Sequence, residues 1–319
     1  MHIEAFADQI QIKAPAKVNL FLEILGKRED GFHEIDTIMC PIQLFDKLTV
    51  KKATSPDITL QVKTPQSLPG SADDSLAWGV PESQDNLVAR AAKLVQHHSS
   101  DKFGFDILLE KQIPAAAGLG GGSSDAAAAI VATMLLNDGW NRKLATDICS
   151  QLGSDIPFFL GSEEGIGLMR STGRGEVCTL IAGQPSIYLL VTHPPEGCST
   201  AKIYQQFQPL QTVRDSEKIM AACETGQTPK IGAELFNALQ FAASELNQWI
   251  KLQLEFYSSL GLNEQLMSGS GSSCFAFVPS DANVESIREQ ALQAGIPRAY
   301  FCRSWFAPSI EQQIITVHR

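Results

Sequence analysis

A chain of 319 residues, 44% hydrophobic and 19% charged, is long enough for two packed domains and too apolar to stay disordered. Its 35 acidic and 25 basic side chains give a formal net charge of −10. That balance argues against a general nucleic-acid or membrane-surface partner, so an anionic ligand must be held by local donors. The opening MHIEAFADQI has no basic region or continuous apolar core, and the longest apolar run, AAAAIVATMLL, is about half a membrane span, which points to a cytoplasmic protein. Seven scattered cysteines (Cys40, Cys149, Cys178, Cys198, Cys223, Cys274 and Cys302) form no C-x-x-C pair and read as reduced packing residues.

In chain order, DQIQIKAPAKVNLFLEIL predicts two strands around Pro15, and DKLTVKKA, DITLQVKT and FGFDILLEKQI each alternate or cluster β-formers. Thr64 to Ser83, TPQSLPGSADDSLAWGVPES, is polar and rich in proline and glycine, the composition of a long surface excursion. Helix signals follow in QDNLVARAAKLVQHHS, SSDAAAAIVATMLLND and NRKLATDICSQLG, the last two closed by turn residues. PSIYLLVTHPP reads as a buried strand, AELFNALQFAASELNQWIKLQLEFYSSLG as helices, and the glycine-rich MSGSGSS leads into the strand CFAFVPS. No repeat is visible, and the mixed order suggests α+β layers in two domains with a boundary near Gln184.

The segment KQIPAAAGLGGGSSDAAAAIVATMLL asks for more than a turn. A strand ending at Ile113 and Pro114 runs into Gly118, Gly120, Gly121 and Gly122, and Ser123, Ser124 and Asp125 then begin a helix that is almost all alanine inside. Glycines let backbone amides approach a ligand closely, and the free amides and positive dipole end of a helix favour phosphate. A flexible turn with a serine N-cap accounts for the serines but not for four clustered glycines. Two familiar phosphate loops fail on spacing: there is no G-x-x-x-x-G-K-[ST], and G-x-G-x-x-G would need glycine where Ser123 stands.

On these residues the chain resembles the GHMP kinases (galactose, homoserine, mevalonate and phosphomevalonate kinases), with their P-x-x-x-G-L-G-S-S-A-like central motif. PAAAGLGGGSSDAA is similar to the branch that phosphorylates 4-diphosphocytidyl-2-C-methyl-D-erythritol in non-mevalonate isoprenoid biosynthesis. APAKVNLFLEILGKREDGFHEIDTI, DNLVARAA, LGSDIPFFL and MSGSGSSCFAF match further segments of that branch in order, from about Lys13 to Phe277. The resemblance implies a two-domain α+β fold. A ribosomal-protein-S5-like ATP-binding domain would span residues 1–184, and a ferredoxin-like α/β sandwich that binds substrate would span residues 185–319. It further implies ATP and Mg²⁺ as cofactors, a small-molecule acceptor phosphorylated on its 2-hydroxyl, no nucleic-acid or membrane partner, and a monomer or weak homodimer. Rival readings are a kinase for another alcohol and a nucleotide-binding regulator without activity.

Phosphoryl transfer needs a phosphate cradle, Mg²⁺ and a group that handles the attacking hydroxyl's proton. On the residues alone Asp155 in GSDIPFF is more often a turn or capping aspartate, and PAKVN by itself leaves a solvated strand lysine open for Lys17. The resemblance makes Asp155 the general base and Lys17 its partner, stabilising the base and the nascent alkoxide. A carboxylate beside a lysine is a weaker base, so the pair is expected chiefly to orient and stabilise the alkoxide, with late proton transfer to Asp155. For ATP, the resemblance implies Asn86, Pro114, Gly118, Leu119, Gly120, Gly121, Gly122, Ser123 and Ser124, with Ser123 or Ser124 near the metal; Asn86 is equally a helix N-cap.

For the substrate, the resemblance implies Phe32, in place of the branch's tyrosine, and His33 against cytosine, with Tyr204 covering the opposite face. Asn19, on the same strand face as Lys17, is a candidate hydrogen-bonding partner of the erythritol or diphosphate. The loop Gly269, Ser270 and Gly271 is either a tight connection or an arc of amides and hydroxyls suited to the diphosphate. NALQ, Asn237 to Gln240, departs from the Asn-Asp-Leu-Glu common in the family, and neither it nor the Thr64 to Ser83 insertion is expected to touch the chemistry.

Overall fold

The structure is a computed structural model that describes residues 1–65, 84–100, 103–137, 139–209 and 212–317. The Thr64 to Ser83 excursion lies, from residue 66 on, outside the described residues. The strands are β1 (His2–Ala5), β2 (Gln9–Lys27), β3 (His33–Ala53), β4 (Ile58–Lys63), β5 (Gly104–Glu110), β6 (Met169–Gly173), β7 (Val177–Leu180), β8 (Tyr188–His193), β9 (Phe236–Asn237), β10 (Gln265–Met267), β11 (Cys274–Phe277) and β12 (Arg298–Arg303). Among the described residues they make two sheets. One runs β1-β2-β3-β5-β4, with β6 on β3, β7 on β6 and β9 on β2; the other runs β10-β11-β8-β12.

Strand β2 departs from the two strands expected around Pro15. It is one strand of 19 residues, and Pro15 stands beside a register shift between Pro15 and Ala16. A bulge is where a sheet tolerates a residue that cannot donate to the ladder, so proline bends this strand instead of ending it. Two further shifts, between Asn19 and Phe21 and between Ile24 and Gly26, curve the same strand where Lys17 and Asn19 sit. Strand β5, conversely, stops at Glu110, short of the expected Ile113, because the amides of Gln112 and Ile113 donate to the Asp46 carboxylate at 2.5 and 2.9 Å.

The helix Gly121–Leu136 is buried on every side, with Ala126 to Ala129, Ile130 and Val131 inaccessible. Alanine makes this possible: a helix with small side chains packs closely against β2, β3 and the helices Leu87–His98 and Ile156–Leu160 at once. Its N-terminus is therefore held rigidly at the site described below. A second buried cluster joins the two sheets, with Val18, Leu20 and Ile42 against Leu189, Val191 and Phe275. The AELFNALQ segment, expected to be helical, contains β9, which pairs in parallel with β2 at Phe21 and Leu22. All seven cysteines are free thiols. Among the described residues no helix is long and apolar enough to cross a membrane.

Candidate active site

Gly120, at φ +71°, is the N-cap residue of the buried helix, so the helix begins at Gly121, two residues before the expected serine start. The first intrahelical bond runs from Ser124 N–H to the Gly120 carbonyl at 2.9 Å, which leaves the amides of Gly121, Gly122 and Ser123 ahead of it. Packing dictates three of the four glycines. A Cβ on Gly118 would meet the Ser268 carbonyl oxygen at 2.0 Å, on Gly120 the Phe159 ring at 2.8 Å, and on Gly121 the Ile113 side chain at 2.9 Å. Only Gly122 faces open space, its nearest neighbour being Leu87 at 3.9 Å. Leu119 and Pro114 turn into the core, and Leu119 serves through its carbonyl, which accepts the Lys17 N–H at 2.9 Å.

Ser124 is fully buried in the first turn and its Oγ has no protein partner, whereas Ser123 is half-buried. Asn86 caps the helix Leu87–His98, its Oδ1 accepting from Val88 N–H at 2.9 Å, and stands one residue from the Leu87 that borders Gly122. The capping role is thus present and compatible with a place beside the glycine loop.

Lys17 is buried, not a solvated strand lysine, and its Nζ lies 2.6 Å from Asn19 Oδ1 and 3.6 Å from Asp155 Oδ2. Burial lowers its pKa below the ordinary 10.5, an effect that the Asp155 charge offsets only in part. Asn19 is in turn fixed by donating from Nδ2 to Thr37 Oγ1 at 2.8 Å, while that hydroxyl donates to the Phe21 carbonyl at 2.6 Å. Asp155 opens the helix Ile156–Leu160 but makes no capping hydrogen bond; its carboxylate, 37% exposed, faces the lysine and the cleft. The commoner capping role of such an aspartate is absent here.

The second glycine loop meets the first. Ser268 Oγ donates to the Gly118 carbonyl at 2.9 Å, and Ser273 N–H donates to the Ala117 carbonyl at 3.1 Å. Gly269 lies over the lysine, since a Cβ there would stand 3.2 Å from Lys17 Nζ. The NALQ segment does reach this machinery: the shared Asn237 donates from Nδ2 to the Met267 and Gly269 carbonyls at 2.8 Å each, and of the two departures Gln240 accepts at Oε1 from Met267 N–H at 2.8 Å. An amide oxygen accepts an N–H as a carboxylate does, so glutamine can hold the loop.

Two adjoining cavities, of about 1070 and 210 Å³, share Ile35, Asp155, Arg174, Thr200 and Tyr204. The larger holds Phe32 and His33; the smaller holds Lys17, Asn19, Gly118, Gly120 and the loop Gly269, Ser270 and Gly271. The His33 and Tyr204 rings lie 4.9 Å apart at 37°, and Phe32, 52% exposed, presents its ring to the cavity. Burial and the Lys27 charge hold His33 below the usual 6.5, so it is neutral at pH 7.

Sequence reasoning missed Thr37, Asn237, Arg174 and a buried triad behind the first loop. In that triad Lys111 Nζ donates to Asp46 Oδ2 at 2.5 Å and to Asp125 Oδ2 at 2.7 Å. Burial and then the Asp46 charge push the Asp125 carboxyl up to about 8, against the pull of Lys111. Between about 3.8 and 8 the folded chain therefore holds a proton that the unfolded chain has released, and this group's stability contribution falls as pH rises through that window. Asp125→Asn, which has no such proton, is expected to flatten the decline in urea midpoint between pH 6 and pH 8; an unchanged slope would place the proton elsewhere.

The sequence pattern of the GHMP kinases N terminal domain matches residues 86–163. The chain is 37% identical over 284 residues to the 4-diphosphocytidyl-2-C-methyl-D-erythritol kinase of Pelotomaculum thermopropionicum, covering 87% of this chain and 91% of that one. It is 33% identical over 306 residues to the enzyme of that name from Rhodopirellula baltica, covering 89% and 91%. A crystal structure of 4-(cytidine 5'-diphospho)-2C-methyl-D-erythritol kinase superposes with a TM-score of 0.72 at 31% identity, over 93% of this chain and 99% of the other. The homoserine kinase of Cytophaga hutchinsonii shares the fold at 17% identity, with a TM-score of 0.69 over 97% and 98%.

Proposed function

The chain belongs to the 4-diphosphocytidyl-2-C-methyl-D-erythritol kinases, a branch of the GHMP kinases, and we propose that it transfers the γ-phosphoryl group of ATP to the 2-hydroxyl of that substrate. The observation that carries this reading is the Lys17–Asp155 pair at the junction of two cavities, one bordered by the glycine loops and the other by Phe32, His33 and Tyr204. The cytosine lies against Phe32, His33 and Tyr204, and the alcohol reaches inward to Lys17, Asn19 and Asp155. ATP lies with its phosphates on the amides of Gly121, Gly122 and Ser123, beside Asn86. The division at residues 184 and 185 into ATP-binding and substrate-binding portions belongs to the same proposal.

Magnesium accompanying ATP would supply charge neutralisation at the phosphates, and Ser123 or Ser124, the latter with an unpartnered Oγ, is the side chain that would hold it. The chain's own residues do the remainder. Lys17 places a positive charge beside the nascent alkoxide, Asn19 holds that ammonium at 2.6 Å, and Asp155 receives the proton late, when the hydroxyl has become acidic enough for a lysine-paired carboxylate to take it.

Two measurements test this assignment. ADP release with ATP and Mg²⁺ is expected with the cytidyl substrate and not with the same alcohol lacking its cytidine, with homoserine or with galactose; turnover on one of the latter would overturn the cytosine pocket. Because burial lowers the Lys17 pKa, the alkaline limb of the kcat/KM profile is expected below the ordinary lysine value of 10.5, and residual activity of Lys17→Arg is expected to lack that limb.

A further inference from the structure

Arg174 brings a positive charge to the junction of the two cavities, which none of the residues assigned above does. It sits in a tight turn between Gly173, at φ +72°, and Gly175, at φ +116°, and its own N–H donates to the Glu176 carboxylate at 2.6 Å. The backbone of this turn is thereby fixed while the side chain projects into the site. Arg174 lines both cavities, whereas Lys17 lines only the smaller and Lys27 only the larger. Its guanidinium carbon lies 4.9 Å from the centre of the Phe32 ring, and a Cβ on the next residue, Gly175, would stand 3.6 Å from Asp155 Oδ1. Arg174 thus stands between the aromatic end and the reacting end.

Its charge is shared loosely with Glu176 and with the exposed Asp30, whose carboxyl it helps hold below the ordinary value, but its terminal donors are uncommitted. Among the described residues the guanidinium makes one ion pair, a marginal Nε contact to Glu176 at 3.5 Å, and its terminal nitrogens have no hydrogen-bond partner. Lys17, by contrast, is held by Asn19 and Asp155. A substrate spanning from Phe32 to Asp155 must carry its two linking phosphates across the junction, where Asp155 contributes negative charge. A planar guanidinium with free N–H donors matches a phosphate bidentately, and an aromatic face beneath it keeps the fork oriented.

We propose that Arg174 grips the diphosphate of a nucleoside-diphosphate-linked alcohol and, through its stack on Phe32, couples that grip to the base. The proposal rests on the substrate reading above. It makes Arg174 a specificity-determining residue: it favours the diphosphate over the bare nucleoside and sets the reach from base to acceptor hydroxyl.

The test is calorimetric binding of cytidine, CMP and CDP to the wild-type chain, Arg174→Ala and Arg174→Lys, with KM and kcat for the full substrate measured in parallel. CDP is expected to bind the wild type about tenfold or more tighter than cytidine. Arg174→Ala is expected to lose most of that ratio while binding cytidine within about twofold of wild type, and to raise KM more than it lowers kcat. Arg174→Lys, a point charge that keeps the packing, is expected to fall between. An Arg174→Ala variant that keeps the full CDP-over-cytidine ratio would overturn the grip. One that loses cytidine as much as CDP would assign Arg174 to the base alone. Wild-type protein that binds neither cytidine nor CDP would overturn the substrate reading, and the grip with it.

Discussion

Asp155→Asn is expected to lower kcat by about 10³-fold while KM for the cytidyl substrate changes by less than about threefold. The amide preserves shape but has no lone pair basic enough to accept the hydroxyl proton. It also removes the charge that partly offsets the burial of Lys17, so the lysine pKa falls further and less of it is protonated when the alkoxide forms. Both consequences act on the transition state, which is why the loss belongs in kcat. The substitution should not unfold the chain, because the carboxylate is 37% exposed and caps no helix. Steady-state kinetics across pH checks this, and turnover near wild type would show that Asp155 is not the base.

Gly118→Ala is expected to destabilise the fold by about 3 kcal/mol or more and to abolish activity with it. The residue sits at φ +73°, and its Cβ would stand 2.0 Å from the Ser268 backbone oxygen, which no rotamer change relieves. The two glycine loops would have to separate, losing the Ser268–Gly118 bond and the support that Gly269 receives over Lys17. Gly122→Ala makes the contrast. Its Cβ enters open space within a helix, so the fold is expected to hold, and on the proposed placement of ATP the methyl meets the phosphates and the ATP KM is expected to rise. Urea midpoints and ATP KM for the two variants separate packing glycines from the one proposed to face ATP; equal behaviour would erase that distinction.

Much of the site was legible because its residues lie in short segments whose chemistry is local. A glycine run before an alanine helix announces exposed amides, and Lys17 and Asn19 share a face by the period of a strand. Arg174 and Asn237 escaped for the opposite reason. Each works through partners far off in sequence, Arg174 over Phe32 and Asn237 under Gly269, and nothing in a single arginine or asparagine announces such a partner. The Lys111 triad was hidden likewise, because Asp46 lies 65 residues from the lysine it meets. The continuous β2 strand was missed because proline normally ends a ladder, and only the register shift beside it shows how the ladder continues.

The measurement that tests the central claim most directly is a phosphorus NMR time course of the wild-type chain with ATP, Mg²⁺ and 4-diphosphocytidyl-2-C-methyl-D-erythritol. The predicted result is one new phosphomonoester signal on the erythritol 2-position, growing in step with ADP while the bridging diphosphate stays intact. Free inorganic phosphate in place of that signal, or cleavage of the diphosphate, would contradict direct transfer from ATP to the alcohol held at Lys17 and Asp155.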